Sequence, residues 1–187
     1  MKKATVFEFT SYKFFPQKKR VLFYYKTEFK GNPPLFFTET VILPKTPDNN
    51  RIPQEVIKKL LEGLHIILGI SYYKLYCPSK IRINYKLSKQ ESNFWNTVYQ
   101  KGLGEFFYKN KLNPKISPKF PYSKSTVNSK FEIRNSKFRC LVGIGGGKDS
   151  IVAAELLKGG GFDITAFFVQ TNGQSGLIEK VIKTSGL

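Results

Sequence analysis

The most constraining feature of this chain is a run of glycines held between two apolar stretches. Phe138-Arg139-Cys140-Leu141-Val142-Gly143-Ile144 is a short apolar run of the kind that forms a buried parallel strand. Gly145-Gly146-Gly147-Lys148-Asp149-Ser150 follows, then Ile151, Val152, Ala153, Ala154, Leu156 and Leu157 in a compact helix that stops at Gly159-Gly160-Gly161. A second apolar run, Ile164–Val169, reads as the next parallel strand. The order is strand, glycine loop, helix, strand. A loop feeding a helix N-terminus presents several unpaired N–H groups and the positive end of the helix dipole, which together attract an anion. Glycines let the backbone approach phosphate oxygens and take positive φ without steric cost. Ser150 can donate its hydroxyl to a phosphate or cap the helix, Lys148 adds a cation, and Asp149 is suited to hold Mg2+ or to orient the loop.

Two other phosphate motifs do not fit. A Walker A loop needs Lys followed by Ser or Thr, and here Lys148 precedes Asp149. The dinucleotide fingerprint threads loosely through Gly143, Gly145 and Gly147, but its third glycine falls at the wrong spacing. The bland alternative is a flexible structural turn.

Upstream, Ala4–Thr10, Arg20–Phe29 and Leu35–Leu43 read as strands of an antiparallel meander, separated by breakers at Pro16 and at Gly31-Asn32-Pro33-Pro34. A helix is expected from Pro53, with Val56, Leu60, Leu64 and Leu68 as a buried stripe, Ile57 and Leu61 alongside, and Gly69 as its end. His65, the single histidine, sits beside that stripe, either as a packing residue or as an acid–base group. Ser88-Lys89-Gln90-Glu91 is a capping box. It opens a helix carrying Phe94, Trp95, Val98 and Tyr99, and a short helix at Glu105–Asn110 follows. From Lys111 to Ser136, Pro114, Pro118 and Pro121 alternate with Ser, Lys and Asn without periodicity, as in a semi-rigid linker.

The 187 residues carry a formal net charge of +18, mostly from lysine. Such a surface attracts polyanions. A lysine-rich composition bias and a phosphorylated small-molecule ligand account for it as readily as nucleic acid does, and the few arginines weigh against base recognition. Cys77 and Cys140 lie far apart, which excludes an obvious zinc ribbon or disulfide framework and fits a reducing compartment. The longest apolar stretch, near Leu64–Tyr73, is interrupted by His65 and falls short of the ~20 residues of a membrane-spanning helix. A cytoplasmic protein with no membrane partner is expected.

Gly145–Ser150 resembles the Ser-Gly-Gly-x-Asp-Ser signature of the ATP pyrophosphatase (PP-loop) group, departing from it at Gly145, where the signature has a serine. The wider chain resembles the UDP-N-acetylmuramoyl-L-alanyl-L-glutamate epimerase family of peptidoglycan synthesis. That resemblance rests on Gly63-Leu64-His65-Ile66-Ile67-Leu68-Gly69-Ile70-Ser71-Tyr72-Tyr73-Lys74 and on Phe94-Trp95 through Lys101-Gly102-Leu103-Gly104-Glu105-Phe106-Phe107-Tyr108. It implies an α/β protein: an N-terminal α+β domain over residues 1–112, a linker over 113–136, and over 137–187 the start of a PP-loop, HUP-like parallel-sheet nucleotide-binding domain, cut short and so inactive alone. It further implies an enzyme that uses ATP and Mg2+ to invert the terminal L-glutamate of UDP-MurNAc-L-Ala-L-Glu through an acyl-adenylate, with a UDP-muramoyl dipeptide as substrate. Gly145, Gly146, Gly147 and Ser150 would then hold the pyrophosphate portion of ATP, assisted by Lys148 and Asp149, the latter as a metal ligand. Ser71, Tyr72, Tyr73 and Lys74 are candidate substrate contacts, and no residue is assigned to proton transfer. The rival expectations are a PP-loop enzyme that modifies tRNA, by thiolation or lysidine formation, and a non-catalytic nucleotide-binding module.

Overall fold

The computed structural model describes residues 3–45, 52–113, 118–123, 139–170 and 176–186. The chain divides into two compact units, Met1–Asn128 and Ser129–Leu187. It is a mixed α/β protein in which an antiparallel meander leads.

In the first unit, β1 (Ala4–Phe15), β2 (Arg20–Phe29) and β3 (Asn32–Ile42) form that meander. Strict alternation makes β2 the central strand: Val21, Phe23, Tyr25, Thr27 and Phe29 are buried, while the residues between them are half-exposed. The first strand runs five residues past Thr10, where the sequence pattern ends it. Between Phe9↔Tyr25 and Ser11↔Tyr24 the register slips by one residue, so Thr10 is a bulge. The slip shifts the inward face from odd to even positions, and Tyr12 and Phe14 pack against the same core as Phe7 and Phe9. Pro33 and Pro34 do not break the third strand but open it. They are tolerated because β3 lies at a sheet edge, where a missing N–H breaks no ladder.

The fourth strand, β4 (Lys80–Ile83), lies beyond β1 and parallel to it, completing the order β3-β2-β1-β4. Such a parallel neighbour needs a crossover, which α1 (Gln54–Tyr73) supplies. Arg82 of β4 is tied across the sheet to Glu8 and Glu28 at 2.9 and 2.8 Å, and Lys26 reaches the same two carboxylates.

Helix α1 differs from expectation in two ways. Its buried line is Ile57, Leu61, His65, Gly69 and Tyr73, one residue round from the Val56-Leu60-Leu64-Leu68 stripe, and Leu60 is 62% exposed. Gly69 does not end the helix. A Cβ there would stand 2.5 Å from Phe9 and 2.9 Å from Tyr25, so the glycine is the groove into which those rings fit, and the helix continues to Tyr73. Three tyrosines dock on α1 carbonyls: Tyr25 on His65, Tyr85 on Glu62 and Tyr99 on Ile66, at 3.1, 3.1 and 2.6 Å.

Helix α2 (Lys89–Gly102) starts at the expected capping box, Ser88 Oγ accepting from Glu91 N and Glu91 Oε2 from Ser88 N. Helix α3 (Gly104–Lys109) follows. Residues 118–123 belong to this unit's packing. Phe120 is buried against Phe9 and Tyr99, its N–H donates to Asn96 Oδ1 and its carbonyl accepts from Ser92 Oγ.

The second unit contains β5 (Arg139–Gly143), α4 (Lys148–Gly159), β6 (Asp163–Phe167) and α5 (Gly176–Thr184). The two strands pair in parallel from Arg139↔Asp163 to Gly143↔Phe167. Val142, Ile144 and Ala154 form its core, with Leu157, Ile164 and Ile178 packed against them, whereas Val152 and Leu156 are exposed. Cys77 and Cys140 are free thiols. Among the described residues no helix is long and apolar enough to cross a membrane.

Candidate functional site

The glycine run lies at a strand-to-helix junction. The amide of Ile144 extends the β5–β6 ladder by donating to the Phe167 carbonyl at 2.8 Å, and the chain then leaves the sheet. Gly146 takes φ +80°, a conformation that costs an L side chain steric strain. Gly147, in an extended conformation, is the N-cap of α4. A Cβ added at Gly145 or Gly147 would meet nothing within 4 Å, so the outer side of the turn is bare backbone.

Helix α4 begins at Lys148, which makes Lys148, Asp149 and Ser150 its first turn rather than part of the loop. The first-turn amides of any helix lack intrahelical acceptors, and a glycine cap has no side chain to supply one. Uncapped amides and the dipole's positive end therefore stand at the start of the helix, whose first residue, Lys148, is exposed. Ser150 turns back: its hydroxyl donates to the Gly147 carbonyl at 2.8 Å. Donation to a bound phosphate requires that rotor to turn. Asp149 is exposed, and among the described residues no three His, Cys, Asp or Glu side chains are gathered as a metal site. A Mg2+ at Asp149 would take its remaining ligands from phosphate oxygens and water.

Ser71, Tyr72, Tyr73 and Lys74 lie in the first unit. They occupy the last turn of α1 and its cap rather than a stretch past the helix end, and they do not converge. Ser71 and Lys74 are exposed. Tyr72 stacks on Phe37 and donates to Glu39 Oε2 at 2.9 Å, and burial together with that carboxylate pushes its hydroxyl pKa up to about 12. Tyr73 is buried between Phe7 and Tyr99, and burial raises its pKa further.

His65 is fully buried among the rings of Phe9, Phe23 and Tyr25. Its Nε2 lies 3.1 Å from the Tyr24 carbonyl and must carry the proton to donate to it, leaving Nδ1 without a partner among the described residues. Burial, partly offset by that hydrogen bond, lowers its pKa to about 4. It is a neutral core residue, out of reach of a ligand.

The family model described as MurL N-terminal domain matches residues 1–187. A protein of Micromonospora sp. named UDP-N-acetyl-alpha-D-muramoyl-L-alanyl-L-glutamate epimerase is 35% identical over 81% of this chain and 33% of its own length. Proteins of the same name from Salinispora tropica and Xanthomonas oryzae pv. oryzae are 32% and 33% identical, over 100% and 80% of this chain and 40% and 33% of their own lengths. The chain thus spans well under half the length of these curated relatives. No solved structure is significantly similar to it.

Proposed function

This chain belongs to the MurL N-terminal domain family, and from that premise we propose that it is the N-terminal part of an ATP- and Mg2+-dependent epimerase acting on the terminal L-glutamate of a UDP-muramoyl dipeptide. The single observation that supports a nucleotide role for this part is the bare, uncapped strand-to-helix junction at Gly145–Ser150. Its geometry fits a diphosphate: backbone amides without side-chain cover, a helix N-terminus and one lysine.

In this reading the amides of Gly145, Gly146 and Gly147 and the first turn of α4 hold the pyrophosphate portion of ATP. Lys148 neutralises its charge, Ser150 adds a donor once released from Gly147, and Asp149 contributes to the Mg2+ shell. Bound ATP would supply an AMP group to the substrate carboxylate, removing the negative charge that otherwise opposes loss of the neighbouring Cα proton. Gly145, where the PP-loop signature has serine, leaves one fewer hydroxyl for the phosphates.

The test is to incubate the complete gene product with ATP, Mg2+ and UDP-MurNAc-L-Ala-L-Glu and to measure AMP release and glutamate chirality. D-glutamate and AMP are expected together, and Gly146→Val should lower the rate by about two orders of magnitude through misplacement of the phosphates. Epimerisation without AMP, or a fully active Gly146→Val protein, overturns the reading. Salt-sensitive tRNA binding with no response to the muramoyl dipeptide would replace it with a tRNA-modifying function.

A further inference from the structure

Alternation along the strands sets which side chains share a face of the sheet. Phe14, Val21 and Val41 turn toward the core of the first unit, so Phe15, Arg20 and Ile42, which stand side by side across β1, β2 and β3, lie on the other face. Arg20 is half-buried there, its guanidinium 5.6 Å from the centre of the Phe15 ring. Its Nε is shut off from solvent and has no hydrogen-bond partner, and no carboxylate pairs with the head among the described residues. Other arginines are treated differently: Arg82 pairs with Glu8 and Glu28, and Arg139 with Asp163. A guanidinium does not shed its proton, so burial cannot be relieved by neutralisation. On this face the strands carry carboxylates only at Glu8 and Glu28, and Lys26 and Arg82 already hold both. The row of Glu8 and Lys26 lies about 20 Å along β2 from Arg20 at ~3.3 Å per residue, more than twice the Debye length of roughly 8 Å at physiological salt. The near neighbours are cations. Lys13 stands diagonally across on β1, and Lys18 and Lys19 stand in the turn that joins β1 to β2, all three exposed.

We propose that Arg20, with Lys13 beside it, binds the phosphate group of a small ligand. The Phe15 ring holds the guanidinium in place and Nε is covered, so the terminal Nη donors are what an incoming oxygen meets, in the paired geometry that suits a phosphate. A carboxylate would balance Arg20 alone. A phosphate, close to dianionic at pH 7, also engages Lys13. One arginine and a few lysines at the end of a sheet match one such group rather than the run of phosphate contacts that holds a nucleic acid. This inference stands on the first unit alone, so its failure leaves the reading of the glycine loop untouched.

Nuclear magnetic resonance of the 187-residue chain with 15N-labelled arginine reads the site directly, and Arg20→Lys identifies the Arg20 Nε–H signal by its loss. That signal should shift saturably as inorganic pyrophosphate or UMP is added, with a midpoint in the millimolar range, and should not move with uridine. Binding should weaken as salt is raised, since the lysines are exposed. Lys13→Gln, a change at an exposed position that leaves the fold intact, should weaken it by about threefold, the worth of one surface charge pair. Gly146→Val should leave the Arg20 titration as it is, which separates this site from the glycine loop. The proposal falls if neither pyrophosphate nor UMP shifts the Arg20 signal saturably or if Lys13→Gln titrates like the parent. It falls equally if an RNA oligonucleotide or phosphatidylglycerol vesicles saturate the signal and the small phosphates do not.

Discussion

Alanine at Gly63 and alanine at Gly69 are the same chemical change in the same helix, and the structure assigns them opposite signs. By helix propensity alone, each would stabilise α1 by about 0.5–1 kcal/mol. At Gly63 the added methyl meets nothing within 4 Å, so that gain stands. At Gly69 the methyl would lie 2.5 Å from Phe9 and 2.9 Å from Tyr25, distances at which something must move. Both rings are buried and locked against Phe7, His65 and each other, so neither can swing clear. Overpacking of this kind costs about 1–3 kcal/mol, and two immobile rings put the site at the upper end. Net of propensity, Gly69→Ala should destabilise the first unit by about 2 kcal/mol, separating the two variants by about 3 kcal/mol. With a urea m-value of about 1–3 kcal/mol/M, their midpoints should differ by about 1 M or more. Trp95 fluorescence follows this unit specifically, since the chain has no other tryptophan. Equal shifts in the same direction, or a Gly69→Ala protein as stable as the parent, would refute the packing account of Gly69.

Ser88→Ala removes the hydroxyl that accepts from Glu91 N and should lower stability by about 1 kcal/mol, read as a drop in urea midpoint at constant m. His65 is neutral when folded, with a pKa lowered to about 4, but titrates near 6.5 when unfolded. Its contribution is therefore complete above about pH 6.5 and is lost as pH falls toward 4, up to about 3 kcal/mol by linkage. His65→Gln should be less stable at pH 7.5 and should flatten the slope of urea midpoint against pH between 4.5 and 6.5; an unchanged slope contradicts it. Gly146→Ala places a side chain at φ +80° and should cost about 1–2 kcal/mol in the second unit, measured by circular dichroism melts. Gly145→Ser has open space around it and, if the loop grips pyrophosphate, should tighten ATP binding by about fivefold in calorimetry.

What the chain's own letters determined is whatever depends on neighbours a few residues apart. The alternation in β2 set its two faces, Ser88 and Glu91 closed a capping box within one turn, and the glycine run fell between a strand and a helix because each flank has its own period. The bare turn with its uncapped helix was legible for the same reason. What only the tertiary structure decided depends on residues far apart. Four residues, Lys80–Ile83, became a strand because β1 had an open edge and α1 carried the chain across to it. The buried line of α1 turned toward His65 and Gly69 rather than Leu60 because the Phe9 and Tyr25 rings need a groove and the Tyr24 carbonyl accepts from the imidazole. Phe120 left an unpatterned, proline-rich stretch for the core because Phe9 and Tyr99 offered an aromatic seat and Asn96 a partner for its amide. Local periodicity records which face of a segment is apolar, but the shape of the opposing surface selects which residues on that face are buried.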